Sequence, residues 1–281
     1  MRADAMDAAL FGVDMLGYSM KEAVLSPVAQ RFLISPFTTF DSGDEIWQER
    51  KRAWILAGAG SSDGKAAADP VLAELIYLWF SRAGAQVLDP FSGCGVRGIV
   101  AAHLSRQYWG CDIQAERIAR SKEASAALAG ELPQPAWIWG DIAQVAQYAP
   151  ASDLLFVCPP AGWKEQHSEA LPSMSRMSHA DFLPAFQSVV KACCQRLRDN
   201  RFACAIVEDF RDDAGNLRNL VAETVSAFLA AGLRLYNEAI LITGAAPAAA
   251  EPQGAICRNH KNILVFVKGN GRSAADWCTA E

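Results

Sequence analysis

The chain has 281 residues, 51% of them hydrophobic and 20% charged, and a formal net charge of −5. That composition is too apolar for a disordered chain, and the length is enough to bury a proper core. The acidic excess argues against indiscriminate nucleic-acid binding, although screening within roughly 8–10 Å leaves room for a local basic surface. No apolar run reaches the ~20 residues of a membrane span. Asp4, Asp7 and Asp14 stand where a secretory leader needs a basic start and an unbroken apolar stretch. The expectation is a cytoplasmic protein without membrane contact. Eight cysteines occur with no Cys-x-x-Cys pair and no matching histidine spacing. They read as small buried apolar groups, with no metal site.

Residues 1–34 read as a weakly specified helical lead-in, and Ser35 to Asp41 as a segment kept extended by Pro36. A helix is expected from Asp44 to Ala57. Trp47 and Trp54 fall seven residues apart on one face, with Arg50, Lys51 and Arg52 between them. A basic surface beside aromatic rings is a candidate nucleic-acid contact. The alternative is an amphipathic helix whose tryptophans pack on the sheet while the charges face water. Gly58 to Lys65 is a loop by composition.

From Pro70 helices and strands alternate. Strands are expected at Gln86–Leu88, Tyr108–Cys111, Ala136–Trp139, Leu154–Val157, Phe202–Val207, Arg234–Thr243 and Asn262–Val267. Alternation of this kind builds a parallel sheet covered on both faces. The last two strands have no helix between them, which predicts an antiparallel hairpin at one edge, with the Ala/Pro-rich stretch 244–254 as its loop. The fold class is therefore α/β: a Rossmann-like, seven-stranded, mostly parallel sheet with an antiparallel C-terminal hairpin. In domain terms, 1–69 is an N-terminal segment packing on the core, 70–269 the main domain and 270–281 a tail.

The strongest local signal runs from Val87 to Gly98: a strand, a glycine-rich turn and a helix. Gly93 and Gly95 let backbone approach a ligand closely, and the following helix offers free N–H groups. Gly93, Gly95 and Gly98 match G-x-G-x-x-G with Asp112 at the spacing of a ribose-binding acid, which on its own suits a dinucleotide dehydrogenase. Three features favour another ligand. Asp89 closes the first strand, and a carboxylate there repels a pyrophosphate but suits a cationic, amino-acid-bearing ligand. Asp112 closes the second strand and is suited to two ribose hydroxyls. Asp141 closes the third and is placed to meet an adenine amino group. Together they describe a pocket for S-adenosylmethionine. Any single aspartate at such a position is as often a helix cap.

Asp89-Pro90-Phe91-Ser92-Gly93-Cys94-Gly95 followed by Phe156-Val157-Cys158-Pro159-Pro160 resembles the cofactor and catalytic motifs of bacterial and phage DNA amino-methyltransferases of the adenine-N6/cytosine-N4 type. The resemblance extends to a phage-type subgroup sometimes fused to ParB-like domains. It is carried there by Ser35-Pro36-Phe37 with Asp41, Trp47 to Arg52, Arg201-Phe202 with Asp209 to Asp212, Tyr236 to Ala239, and His260 to Gly269. It implies a class I methyltransferase fold that binds S-adenosylmethionine, with Asp89, Phe91, Gly93, Gly95, Asp112, Ile113, Asp141 and Ile142 around the cofactor. It also implies DNA as the partner, with the target base rotated out of the duplex. A polar side chain and the first proline's carbonyl then accept hydrogen bonds from the exocyclic amine, and an aromatic ring after Pro-Pro stacks on the base.

The chain departs from that pattern twice. Cys158 stands where Asp, Asn or Ser is usual, and a thiol is a weak acceptor. Ala161 stands where the stacking aromatic belongs, with Trp163 two residues on as a replacement ring. Loss of such stacking costs about 1–3 kcal/mol. The candidate catalytic set is Cys158, Pro159, Pro160 and Trp163. A cysteine nucleophile of the cytosine-carbon type is disfavoured, because there the cysteine follows the proline pair. His167 and His179 read as surface-loop residues that could reach nucleic acid. Two rivals stay open: a non-catalytic paralogue serving as a DNA-binding or partner subunit, and a methyltransferase for RNA or a small molecule.

Overall fold

The apolar stretches that end in aspartate become neighbouring strands of one sheet. The computed structural model describes residues 39–60, 68–128, 132–160, 174, 177–211, 215–243 and 259–279. In chain order these form β1 (Thr39–Asp41), α1 (Glu45–Leu56), α2 (Pro70–Phe80), β2 (Gln86–Asp89), α3 (Val96–His103), β3 (Gln107–Asp112) and α4 (Ala115–Ala126). Then follow β4 (Ala136–Trp139), α5 (Ile142–Val145), β5 (Ser152–Val157), α6 (His179–Arg196), β6 (Leu197–Val207), α7 (Leu220–Ala230), β7 (Arg234–Ile242), β8 (His260–Lys268) and α8 (Gly271–Thr279). The sheet order is β1-β7-β8-β6-β5-β2-β3-β4. Strand β8 pairs antiparallel with both β6 and β7, and every other pairing is parallel, so β8 alone runs against the rest.

The α/β architecture with its antiparallel β7–β8 pair follows the sequence expectation, but the sheet has eight strands and not seven. The extra strand is β1, whose Thr39, Phe40 and Asp41 pair with Ile240, Leu241 and Ile242 of β7. Three residues carry too little periodicity to be recognised alone. Their pairing is set by the edge that β7 offers, and Phe40 is buried beneath it. The N-terminal segment thus supplies the sheet's outer edge, and β8 lies inside, between β6 and β7. The loop expected at 244–254 falls outside the described residues.

Strand residues alternate between two cores. On one face Tyr77, Trp137, Leu154, Phe156, Phe202 and Val265 join the buried sides of α1, α2, α3 and α8. On the other, Leu155, Val157, Phe186, Phe228 and Phe266 join α5, α6 and α7, with the rings of Phe228 and Phe266 stacked 4.3 Å apart. The strands buried on both sides read as continuous apolar runs for this reason.

Helix α1 begins at the Asp44 cap, whose carboxylate accepts from Ile46 N at 3.1 Å. It is docked by polar bonds as well as by its buried tryptophans. Glu74 on α2 is 3% exposed. It forms an ion pair with Arg50, whose Nε donates to Oε2 at 2.9 Å, and it accepts from Trp54 Nε1 at 2.8 Å. Lys51 lies 3.1 Å from Asp69, which also accepts from Trp47 Nε1 at 3.3 Å. Arg50 and Lys51, expected as nucleic-acid contacts, therefore hold α1 on α2, and of the three cations Arg52 is the exposed one. Both tryptophan rings face the core, so the expected aromatic-flanked basic surface is not formed. At the other end of the chain, residues after Gly269, expected as a tail, form α8. Its Trp277 lies 3.5 Å beneath the Arg201 guanidinium of β6.

Removing one partner of a buried ion pair leaves the other charge uncompensated, at a cost of about 3–5 kcal/mol. Glu74→Ala, which strips both Arg50 and Trp54 of their acceptor, is expected to lower stability by about 3 kcal/mol. Chemical denaturation checks this, and a loss under about 1 kcal/mol would contradict the docking described. His103, at the end of α3, reaches the Ala57 carbonyl through Nε2 at 3.3 Å. Burial lowers its pKa from 6.5, opposed by that hydrogen bond. Below pH 6.5 the unfolded side chain binds more protons than the folded one, so stability falls as pH drops beneath that value. His103→Gln should flatten that part of the stability profile.

Candidate functional site at the sheet's switch point

From β2 the chain moves outward through β3 to β4, and then returns to β5 on the other side of β2. Ligands of open α/β sheets bind where the order reverses, beyond the carboxyl ends of the strands. Two loops leave that point here: Asp89 to Gly95 after β2, and Cys158-Pro159-Pro160 after β5. The fold thus brings both sequence motifs to one crevice.

The glycine turn is held by its own backbone. Phe91 N donates to Asp89 Oδ1 at 3.0 Å, Ser92 N to the Cys111 carbonyl at 2.8 Å, and Gly93 N to Asp112 Oδ2 at 3.0 Å. Gly93 and Gly95 have φ of 59° and 81°, the left-handed region that glycine adopts without strain. Gly95 also caps α3 and faces Ser121, whose Oγ would sit 2.6 Å from an added Cβ. Gly98 plays the third part of the motif, since any side chain there would collide with the rings of Trp137 and Tyr108.

Asp89, Asp112 and Asp141 follow three adjacent strands, in the register Asp89↔Gly110 and Asp112↔Trp139. Their surroundings differ. Asp89 is fully buried, its carboxylate bonded by Arg97 Nε at 2.5 Å and Nη2 at 3.2 Å, and by the Tyr108 hydroxyl at 2.7 Å. The sequence reading had this carboxylate meeting a cationic ligand. It is instead enclosed and neutralised by a cation of the chain's own. Burial works against the charge of Arg97, but Asp89, then Cys158 and Tyr108, hold its pKa well above the ordinary value. Burial, reinforced by Asp89, pushes the hydroxyl pKa of Tyr108 and Tyr77 well up.

Asp112 is 8% exposed and accepts from Gln114 N at 2.8 Å as well as from Gly93 N, with Arg117 3.8 Å away. Ile113 beside it is half-buried, and its carbonyl accepts from the indole nitrogen of the exposed Trp139 at 3.1 Å. Asp141 is half-buried and caps α5, accepting from Ala143 N at 2.9 Å, with Ile142 buried behind it. The capping role raised as the alternative for such aspartates is thus present at Asp141, alongside its place at the strand end.

On the other side of the crevice Pro159 is buried while Cys158 and Pro160 are half-buried. Cys158 packs against the core and lies within electrostatic reach of Arg97. Ala161, Trp163 and His167 fall outside the described residues. His179 opens α6 and pairs with Glu223 of α7 at 2.9 Å, so it belongs to a helix start and not to a loop. A cavity of about 20 Å³ beside that pair has room for a single water, far below what a nucleoside needs. Among the described residues no three His, Cys, Asp or Glu side chains come together as a metal site, and no helix is long and apolar enough to cross a membrane.

Arg97 was missed in the sequence. Its signal was there: one arginine in the apolar run Val96-Arg97-Gly98-Ile99-Val100-Ala101-Ala102, eight residues after a strand-ending aspartate. A charge in such a run is retained inside only when it is paired.

Sheet order, the single reversed strand and the glycine turn at the switch point define a Rossmann-like methyltransferase fold. Solved structures agree. TrmN from Thermus thermophilus is similar over 78% of this chain and 53% of its own, at 18% identity and a TM-score of 0.51. A methyltransferase from Pyrococcus furiosus is similar over 79% of this chain and all of its own, at 10% identity and a TM-score of 0.50. The chain thus spans about half the length of the first of these, and at such identities the likeness is one of fold. In sequence, residues 49–123 match a family described as DNA methylase. That stretch runs from α1 into α4 and contains the glycine turn, Arg97 and Asp112, but not Cys158-Pro159-Pro160. No curated protein gives a significant match.

Because Gly95 needs both its positive φ and the absence of a Cβ, Gly95→Ala is expected to destabilise the chain by about 1–3 kcal/mol. A thermal midpoint equal to that of the unmodified protein would show that the turn tolerates what the geometry forbids.

Proposed function

We propose that the chain is an S-adenosylmethionine-dependent methyltransferase acting on an exocyclic amino group of a DNA base. The observation that carries this reading is the meeting, at one switch point, of the 91–95 glycine turn, Asp112 and the Cys158-Pro159-Pro160 loop. The match of residues 49–123 to a DNA methylase family supports DNA over the alternatives of RNA or a small molecule.

The residues present fit the donor. The turn at Gly93 is open, with nothing closer to an added Cβ than the Phe91 carbonyl at 3.9 Å, so backbone at this point admits a ligand at close range. Asp112 is fixed by two backbone N–H groups, and a carboxylate's two oxygens have lone pairs beyond those two bonds for ribose hydroxyls. Asp141 is placed for the adenine amino group, with Phe91, Ile113 and Ile142 as apolar walls. When bound, the donor supplies an electrophilic methyl group on a sulfonium.

The acceptor side rests on the Cys158 to Pro160 loop. The Pro159 carbonyl accepts a hydrogen bond from the exocyclic amine and so orients its lone pair, with the Cys158 thiol a weaker second acceptor. Neither group need take a full proton for attack to begin. The amine's acidity rises as its nitrogen gains the methyl, and the proton leaves to solvent. A base reaches this loop only by leaving the helix stack, at a cost of a few kcal/mol.

Ala161 favours a second reading, a non-catalytic paralogue that keeps the donor site. Without stacking, binding or rate falls by roughly 5- to 150-fold unless another ring substitutes. Trp163 remains the proposed substitute, with Trp163→Ala expected to lower methylation and leave donor affinity intact.

The test is incorporation of labelled methyl from S-adenosylmethionine into unmethylated DNA, followed by nucleoside mass spectrometry for an N-methylated amino base. Donor binding without DNA labelling would favour the paralogue, and labelling of RNA alone would move the substrate. Asp112→Ala should weaken donor binding in calorimetry by about 10- to 100-fold, the worth of hydrogen bonds to a charged acceptor. Unchanged affinity would remove Asp112 from the site.

A further inference from the structure

We infer that Arg97 is a positioning residue of the donor site: one buried guanidinium bonds Asp89 and the Phe91 carbonyl together and holds the glycine turn against β5, so that Asp89 acts on the turn's shape and not on the ligand. The inference rests on the donor-site reading above and assigns a role to two side chains within it.

The geometry joins three pieces of backbone through one group. Arg97 Nε and Nη2 bond the two carboxylate oxygens of Asp89 at the end of β2. Nη2 also donates to the carbonyl of Phe91, inside the turn. The plane of the guanidinium lies 5.3 Å from the ring of Phe156 on β5, two residues before Cys158. Arg97 and Asp89 are 4% and 0% exposed, so neither charge is screened by water and each depends on the other. Asp89 completes the hold by accepting from Phe91 N, so Phe91 is gripped at its N–H by the carboxylate and at its carbonyl by the guanidinium. With both backbone groups of Phe91 occupied, the following N–H groups of Gly93 and Gly95 are set in one direction. A planar fork makes these bonds at once, which a lysine's single ammonium cannot do.

Two roles for Asp89 differ in sign when pH is changed. The titratable groups around it are Arg97 from α3, Tyr77 from α2, Tyr108 and Cys111 from β3, Cys193 from α6 and, across Arg97, Cys158 after β5. Burial pushes the pKa of both tyrosines, Cys111 and Cys193 upward, so these stay neutral near pH 7. Without Arg97, the Asp89 carboxylate is a lone buried charge, and protonation near neutral pH relieves it. If Asp89 shapes the turn, protonation then restores donor binding. If Asp89 touches the cationic donor, protonation weakens it.

The experiment uses the full chain with Arg97→Met, Arg97→Lys and the charge-neutral double variant Asp89→Asn/Arg97→Met. Hydrogen exchange of the 91–95 amides is followed without any ligand, and S-adenosylmethionine affinity is measured by calorimetry between about pH 5.5 and 8. Arg97→Met is expected to speed exchange in 91–95 by about tenfold or more while β4 is unchanged, and to weaken donor binding by about tenfold at pH 8. Its affinity should recover as pH falls. The double variant should bind more tightly than Arg97→Met at pH 8 and show no such recovery, and Arg97→Lys should fall between. Where Arg97→Met does not fold, the other two variants carry the comparison. Exchange in 91–95 that matches the unmodified protein, or donor affinity that drops with falling pH, overturns the inference. If the unmodified chain binds no S-adenosylmethionine, the donor reading fails by itself, and the exchange data still decide whether Arg97 holds the turn.

Discussion

The Asp89–Arg97 pair sits where the sheet changes direction, and much of the site's geometry runs through it. Strand β2 ends there, the glycine turn begins there, and β5 passes alongside carrying Phe156 toward Cys158. An unpaired carboxylate at this depth would cost several kcal/mol, so the turn's geometry and the burial of Asp89 stand or fall together. Tyr108 on β3 and Tyr77 on α2 close the same centre, Tyr77 by donating to the Arg97 carbonyl at 3.0 Å. A cofactor turn built this way is rigid because it is welded to the interior.

The N-terminal segment is part of that architecture. Strand β1 extends the sheet beyond β7, and α1 is pinned on α2 by Glu74 and Asp69. Helix α2 in turn supplies Tyr77 to the centre beneath the donor turn. A continuous line of packing therefore runs from α1 to the switch point. The acidic residues of α2 and its cap neutralise cations that a linear reading would turn toward a polyanion.

The crevice has two unlike sides. On one, backbone and carboxylates are fixed by short-range bonds before any ligand arrives, which is what preorganised binding requires. On the other, the chain presents a cysteine and two prolines in place of a strong side-chain acceptor, so orientation of an amine falls to backbone carbonyls. This asymmetry fits a chain whose donor grip is better developed than its acceptor chemistry, and it is why the proposed activity is argued first from the donor side.

Most of the fold was legible in order along the chain. Strand–helix alternation, the glycine turn and the strand-ending aspartates are local patterns, set by backbone conformation and by which residues tolerate it. The same is true of the α1 helix and of the hairpin strands. What escaped was whatever depends on partners distant in sequence. Strand β1 is a strand only because β7 lies beside it. Arg50 and Lys51 look like a basic patch until α2 brings Glu74 and Asp69 to them. Asp89 has the credentials of a ligand-binding acid, and only the return of helix α3 shows that Arg97 already occupies it. The sequence by itself determined the order of elements and the residue types at the switch point. Which charges face a ligand and which face each other was decided by the tertiary structure, because pairing of buried ions depends on distances that linear spacing does not contain.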